Sequence, residues 1–326
     1  MAMNKKTEQI KNQEATSKKS FGQIIINNAA LTALILLMIL FAIINDRFLT
    51  TNNMINILTQ VSVTAIIAFG MTFVITAAQI DLSVGSILAL AGMIFMALSV
   101  AGVPVFLGII ITLAIGGFIG LFSGYLITYF KLPSFIATLA MMSVARGIGL
   151  LMKGGTTICE GIQLSYFWLG QSKIGIIPLP IIILIVIFLI MDFIMTRTTF
   201  GTYNRAIGSN PEASRLAGIS VNPMLLKIMA ISGVCAAVAG IITASRLGVG
   251  SPVTGYMKEL DAITAVILGG TAMTGGVGTI RGTFIGALVV TILTNGLTII
   301  GVSSYWQQIL LGFVLIGALA LKKFQK

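Results

Sequence analysis

The chain has 326 residues, with no histidine, two cysteines and nine acidic residues. Without histidine there is no imidazole base and none of the commonest metal ligand. Cys159 and Cys235 stand far apart, and Cys235 falls in an apolar run, so neither a disulfide nor a thiolate metal motif is expected. No Gly-Lys-Ser/Thr occurs anywhere, which removes a Walker-type phosphate loop and with it an ATP site on this chain. Paired carboxylates, HExxH and GxSxG are missing too, so a membrane enzyme has no visible machinery. An ion-coupled secondary transporter, which would want a carboxylate-rich site at mid-membrane, finds few acids to build one.

Apolar residues are abundant instead: 57% hydrophobic against 9% charged, with a mean hydropathy of +1.04. A soluble domain cannot hide that much apolar surface, so lipid must solvate much of it. The formal charge of +11 suggests a nucleic-acid surface, but the basic residues sit in tails and loops between apolar runs, as topology signals do. No nucleic-acid partner is expected.

Residues 1–23 are polar, with Lys5, Lys6, Lys11, Lys18 and Lys19. The run that follows ends at Asn45-Asp46-Arg47 without a small-residue cleavage site, which predicts a retained cytoplasmic tail and a first anchor helix. Hydropathy predicts an all-α polytopic protein with ten spans: 27–45, 57–78, 83–101, 104–130, 134–152, 178–195, 224–245, 262–275, 282–300 and 304–321. The eighth is short and Gly-rich, as a broken or incomplete crossing would be. Ten spans put both termini on one side, N-in and C-in. The inner face then collects fourteen basic residues and the outer face five, with Arg146 left inside a span. The expected organisation is a tail (1–23), a transmembrane domain (24–322) with an inner loop at 196–223, and a short C-terminal tail (323–326). Among the outer loops, Tyr166, Phe167 and Trp168 suit a membrane interface.

The inner loop carries Arg197, Arg205 and Arg215 and a helix signal. Ser209-Asn210-Pro211-Glu212 has the form of a capping box: Ser209 or Asn210 caps, Pro211 takes the first turn and Glu212 suits the positive helix end. Ala213, Arg215 and Leu216 continue the helix, and Gly218 can end it left-handed. Two turns are not stable alone, so this helix must pack on its own domain or on another chain. From the residues alone, an interfacial linker and a docking element are equally good readings.

Asp81 lies between two apolar runs, where it can cap the helix that follows with help from Ser83, or serve a gate or partner contact at the inner end. Gly269, Gly270, Gly275, Gly276, Gly278 and Gly282 crowd a membrane-depth segment, as in helices broken around a pathway. Gly116, Gly120 and Gly124 recur every four residues and mark a packing face. Arg146 is a functional candidate as a charge within a span, with snorkelling or pairing the competing explanation. Thr72, Thr76, Thr271, Thr274, Thr294 and Asn295 are neutral donors and acceptors suited to a hydroxyl-rich solute, although hydroxyls also satisfy helix backbones in lipid.

GMTFVITAAQIDLSVGS, GSNPEASRLAGI, ELDAITAVILGGTAMTGGVGT and GVSSYWQQ together resemble the membrane permease of ribose-type ATP-binding-cassette (ABC) importers. The likeness runs over nearly the whole chain beyond the N-terminal tail, and Gln79 stands where such permeases usually carry glycine. The resemblance implies an ABC importer permease fold in a bacterial inner membrane, surrounded by lipid and assembled as a permease dimer, most simply a homodimer. It also implies two ATPase subunits, on which ATP and Mg would be bound, and an extracytoplasmic sugar-binding protein. No cofactor would sit on this chain. Residues 209–218 would then be the coupling helix that docks on the ATPase, and ribose or a related sugar the solute.

Overall fold

Backbone groups in an apolar environment must be satisfied within their own segment, which favours helices for runs of this composition. The computed structural model describes residues 29–324; the polar segment 1–23 lies outside the described residues, as do the last two. Five helices come first: α1 (Ala29–Ile44), α2 (Thr51–Thr76), α3 (Val84–Val100), α4 (Val105–Thr128) and α5 (Ser134–Leu151). A connection follows with a 3-10 turn (Leu164–Phe167), α6 (Trp168–Gln171) and a small antiparallel hairpin of β1 (Lys173–Ile174) and β2 (Ile177–Pro178). Then come α7 (Leu179–Arg197), α8 (Thr199–Ser209), α9 (Pro211–Leu216), α10 (Val221–Leu247), α11 (Lys258–Leu268), α12 (Ile280–Ile299) and α13 (Ser304–Phe324).

Every expected span has a helix counterpart, but the ends differ. Among the described residues, six helices are both long and apolar enough to cross a membrane: α2, α4, α5, α7, α10 and α12. α1 and α3 are shorter apolar helices. The eighth span is not continuous: α11 stops at Leu268 and α12 begins only at Ile280. The polar loop 196–223 is more ordered than its composition suggests, because α8 supplies three turns before α9.

α2 is the core element. In its most apolar stretch 89% of residues are buried, against 22% in α4 and α7, whose outward faces therefore meet lipid or another chain. α10 lies between α2, α3 and α4. The glycine row of α4 lets it close on α10: a Cβ at Gly120 would run into the Met229 carbonyl, and one at Gly116 would lie 2.5 Å from the Ala237 Cβ. Tyr166 departs from the interfacial expectation. It is fully buried, its ring 4.5 Å from that of Phe95, and its hydroxyl donates to the Val103 carbonyl at 3.0 Å. Trp168 remains exposed.

The bundle has two distinct ends. The end carrying α8 and α9 is here called basal; the end carrying α6 and the hairpin is called apical. Two breaks interrupt the helices. After α2 the chain turns at Ala78 (φ 58°) and runs extended to Ser83 before α3 begins. After α11 it runs irregularly through residues 269–279 before α12 begins.

Candidate functional site

α9 is a short helix with complete end chemistry. Of the two possible caps the chain uses Asn210, whose Oδ1 accepts from the Ala213 N–H at 3.0 Å. Ser209 instead closes α8, its Oγ donating to the Arg205 carbonyl. Pro211 occupies the first position, and Glu212 pairs with Arg215 at 2.6 Å. At the other end Gly218 adopts φ 82°, and the Gly218 and Ile219 amides donate back to Arg215 and Ser214 carbonyls. Ala213, Arg215 and Leu216 are exposed, and Leu216 is 91% exposed, while Ser214 faces inward. An uncovered leucine on an ordered, capped helix is an apolar tip with nothing among the described residues to bury it.

α8 anchors this tip to the bundle. The Asn204 amide donates to the Phe73 carbonyl at 3.1 Å, and Phe200 packs on Phe73 with ring centroids 5.8 Å apart. Arg205 donates to the Met195 carbonyl at the end of α7. At the C-terminus of α8 the contact becomes backbone on backbone. A Cβ on Gly208 would run into the Thr76 carbonyl, and one on Gly275 would lie 2.6 Å from the Gly208 carbonyl and 2.8 Å from the Ala78 Cβ. The Gly276 N–H donates to the Thr76 carbonyl at 2.9 Å. The end of α2, the end of α8 and the glycine-rich break thus meet at Gly208, two residues before the α9 cap at Asn210.

Asp81 sits deep in the bundle, and its bonds bear on the expectation that it caps α3 with help from Ser83. Its side chain is fully buried. Oδ1 accepts from the Ser83 N–H (2.9 Å) and Ser83 Oγ (2.6 Å), and Oδ2 accepts from Ser232 Oγ at 2.7 Å. Ser232 is about 16 Å along α10 at 1.5 Å per residue. Asp81 therefore holds the turn before α3 and ties it to α10, rather than capping the first free amides of α3.

The neutral candidates separate into groups. Thr72 bonds Thr283 of α12 at 2.7 Å, and Thr76 and Thr271 both flank Gly278, so these three line one buried seam beside the second break. Thr274 does not join them, because it is exposed on the break. Asn295 lies toward the apical end, where its Oδ1 accepts from Asn53, which also donates to the Phe48 carbonyl. Arg146 resolves toward pairing: its guanidinium donates to the carbonyls of Pro252 and Thr254 and so pins the 248–257 connection. Asp192, near the end of α7, accepts two hydrogen bonds from Arg281 of α12 at 3.0 and 3.1 Å. Ser232 and Gly208 were not singled out from the sequence. A lone serine inside an apolar run and a glycine before a cap were the available signals. Among the described residues no three metal-ligating side chains cluster.

Residues 53–319 match the family described as the permease component of branched-chain amino acid transport systems. The ribose import permease protein of Haemophilus influenzae is 41% identical over 93% of this chain and 95% of its own length. That of Bacillus subtilis is 40% identical over 98% of each. The xylose transport system permease protein of Escherichia coli is 35% identical over 88% of each. No solved structure matches. With its apolar helical bundle, the chain is a bacterial integral membrane protein and belongs to the permease family of ribose-type ABC sugar importers.

Proposed function

We propose that this chain is the membrane conduit through which an importer moves a monosaccharide, ribose or a related sugar, into the cytoplasm. ATP with Mg is bound and hydrolysed on a partner ATPase subunit that docks on α9. An extracytoplasmic binding protein delivers the sugar at the apical end, and a second copy of the chain completes the conduit. Ten crossings of the inner membrane, with both termini cytoplasmic, agree with the charge distribution. Lys131, Lys227, Arg281 and the arginines of 196–223 lie basally, and Arg47, Lys153, Lys173, Arg246 and Lys258 apically.

The observation that carries this reading is α9 itself. It is ordered, capped and tipped by exposed Leu216, and it joins through Gly208 to both helix breaks. A push on that tip has a route into the bundle. Ser209 through Gly218 form the docking element; Thr72, Thr76 and Thr271, with Asp81 bracing the neighbouring turn, form the moving seam. Ion coupling is the weaker reading, since the Asp81 carboxylate is already occupied by three hydrogen bonds.

The test is uptake of labelled D-ribose and D-xylose into proteoliposomes holding the permease, its ATPase and its binding protein. Uptake should require ATP. Replacing residues 209–218 with a Gly-Ser linker should stop uptake while the ATPase still hydrolyses. Undiminished uptake in that variant, or sugar accumulation on an ion gradient without the ATPase, would overturn the proposal.

A further inference from the structure

A cavity of about 260 Å3 lies toward the apical half, where α2, α3, α10, α11 and α12 converge. Its polar wall includes Gln60, Thr64, Thr291 and Thr294. A second cavity of about 440 Å3 adjoins it, sharing Gln60, Lys258, Asp261 and Thr294 and continuing past Gln307 and Gln308 of α13. Among these residues Thr291 is distinctive. Hydroxyls on a helix ordinarily return to a carbonyl one turn back, and Thr294 and Thr298 of the same helix do so. Thr291 is 3% exposed, and its Oγ1 has no partner among the described residues. A buried hydroxyl without a partner is costly unless something else bonds it.

The other groups define what that something is. Lys258 and Asp261 pair at 2.6 Å, so their charges offset, and Arg246 is the one further charge on the wall of the first cavity. Amides offer a donor and an acceptor in one plane, hydroxyls offer both, and a carboxylate oxygen can accept from a diol. Leu88, Val63 and Val290 supply aliphatic faces beside them. This mixture suits a small ring with a polar edge and an apolar face, and it gives a fully ionised ligand only one free countercharge.

Resting on the import reading above, we propose that the permease itself holds an uncharged monosaccharide in this cavity, with Thr291, Gln60 and Asp261 bonding its hydroxyls. The sugar would thus be checked a second time after delivery. The test uses the full complex with its ATPase and binding protein in nanodiscs, without and with ATP, in a Cys159→Ser background. Thr291→Cys and, separately, Gln60→Cys are reacted with a small methanethiosulfonate reagent. D-Ribose or D-xylose should slow the reaction at least about threefold, ribose 5-phosphate should not, and Val144→Cys in an apolar crevice should ignore all three. In transport, Thr291→Val should raise KM by about five- to tenfold with little change in kcat, the loss of roughly one hydrogen bond, and Thr291→Ser should restore it. Absence of protection by both sugars at both cysteines, protection only by the phosphate ester, or an unchanged KM in Thr291→Val overturns the inference. ATP-driven uptake measured on the same complex separates that failure from failure of the import reading itself.

Discussion

The two helix breaks do similar topological work by opposite chemistry. Residues 77–83 are held by a carboxylate that gathers three donors from Ser83 and Ser232. Residues 269–279 carry no such hub; there glycines let backbone lie on backbone, with Gly275 and Gly276 both at positive φ. The first break is specified by hydrogen bonds and tolerates shape changes that keep an acceptor. The second is specified by the absence of side chains and tolerates almost no added volume at Gly275, Gly276 and Gly278. The difference teaches where each can be disrupted, and four tests follow, from the two breaks, where the expected cost to the fold is largest, to sites outside them, where it is smallest.

Gly275→Val attacks the second break where it meets the end of α8 and the turn after α2. A left-handed backbone costs a branched side chain about 1–2 kcal/mol. Forcing new atoms against Gly208 and Ala78 adds about 1–3 kcal/mol. The variant should lose its monodisperse peak in detergent size-exclusion chromatography. Gly270→Ala sharpens the point, because φ is 92° there but a Cβ would meet open space, so only the backbone strain should appear. If both behave alike, crowding is not what defines this break.

Asp81→Ala attacks the first break by leaving two hydroxyls and an amide without their acceptor. Each buried group so stranded costs about 1–3 kcal/mol, which should lower Tm by several degrees in thermal unfolding. Asp81→Asn keeps one acceptor oxygen and should fall between. An Asn variant as unstable as Ala would mean that charge, not hydrogen bonding, holds the turn.

Asp192→Asn tests a link outside both breaks. Its partner Arg281 is largely exposed, so the pair contributes below about 1 kcal/mol and Tm should move little. Leu216→Ser is the smallest change to the fold, within about 0.5 kcal/mol for a residue this exposed. If α9 docks as proposed, binding to the ATPase partner, read by co-purification, should weaken while Tm holds.

Much of this was legible in the sequence because lipid imposes a strong pattern. Apolar runs of bilayer length located every long helix, and Asn210-Pro211 with Gly218 located α9. The packing row of α4 was legible as spacing alone. α8 was not legible, because its amphipathic pattern is short and sits among polar residues that also read as loop. The depth of Asp81 was hidden because hydropathy gives position along the chain and not along a neighbouring helix; only its bond to Ser232 sets that level. Tyr166 misled for a related reason, since a phenol beside Phe167 and Trp168 has the composition of an interface whether or not another helix covers it. Of the apical cavity, Thr294 alone was legible as a polar group suited to a hydroxyl-rich solute. Its walls come from five helices and the 248–257 connection, and Thr291 differs from its neighbours only in where its hydroxyl points.

Side chains ordinarily act as padding between moving parts, because a rotamer can swing before a backbone must shift. At Gly208 that padding has been removed: main chain bears directly on main chain at Thr76 and again at Gly275. A tilt of α8 thus meets main chain beside each break before any side chain can yield, so this joint has no cushion to absorb it.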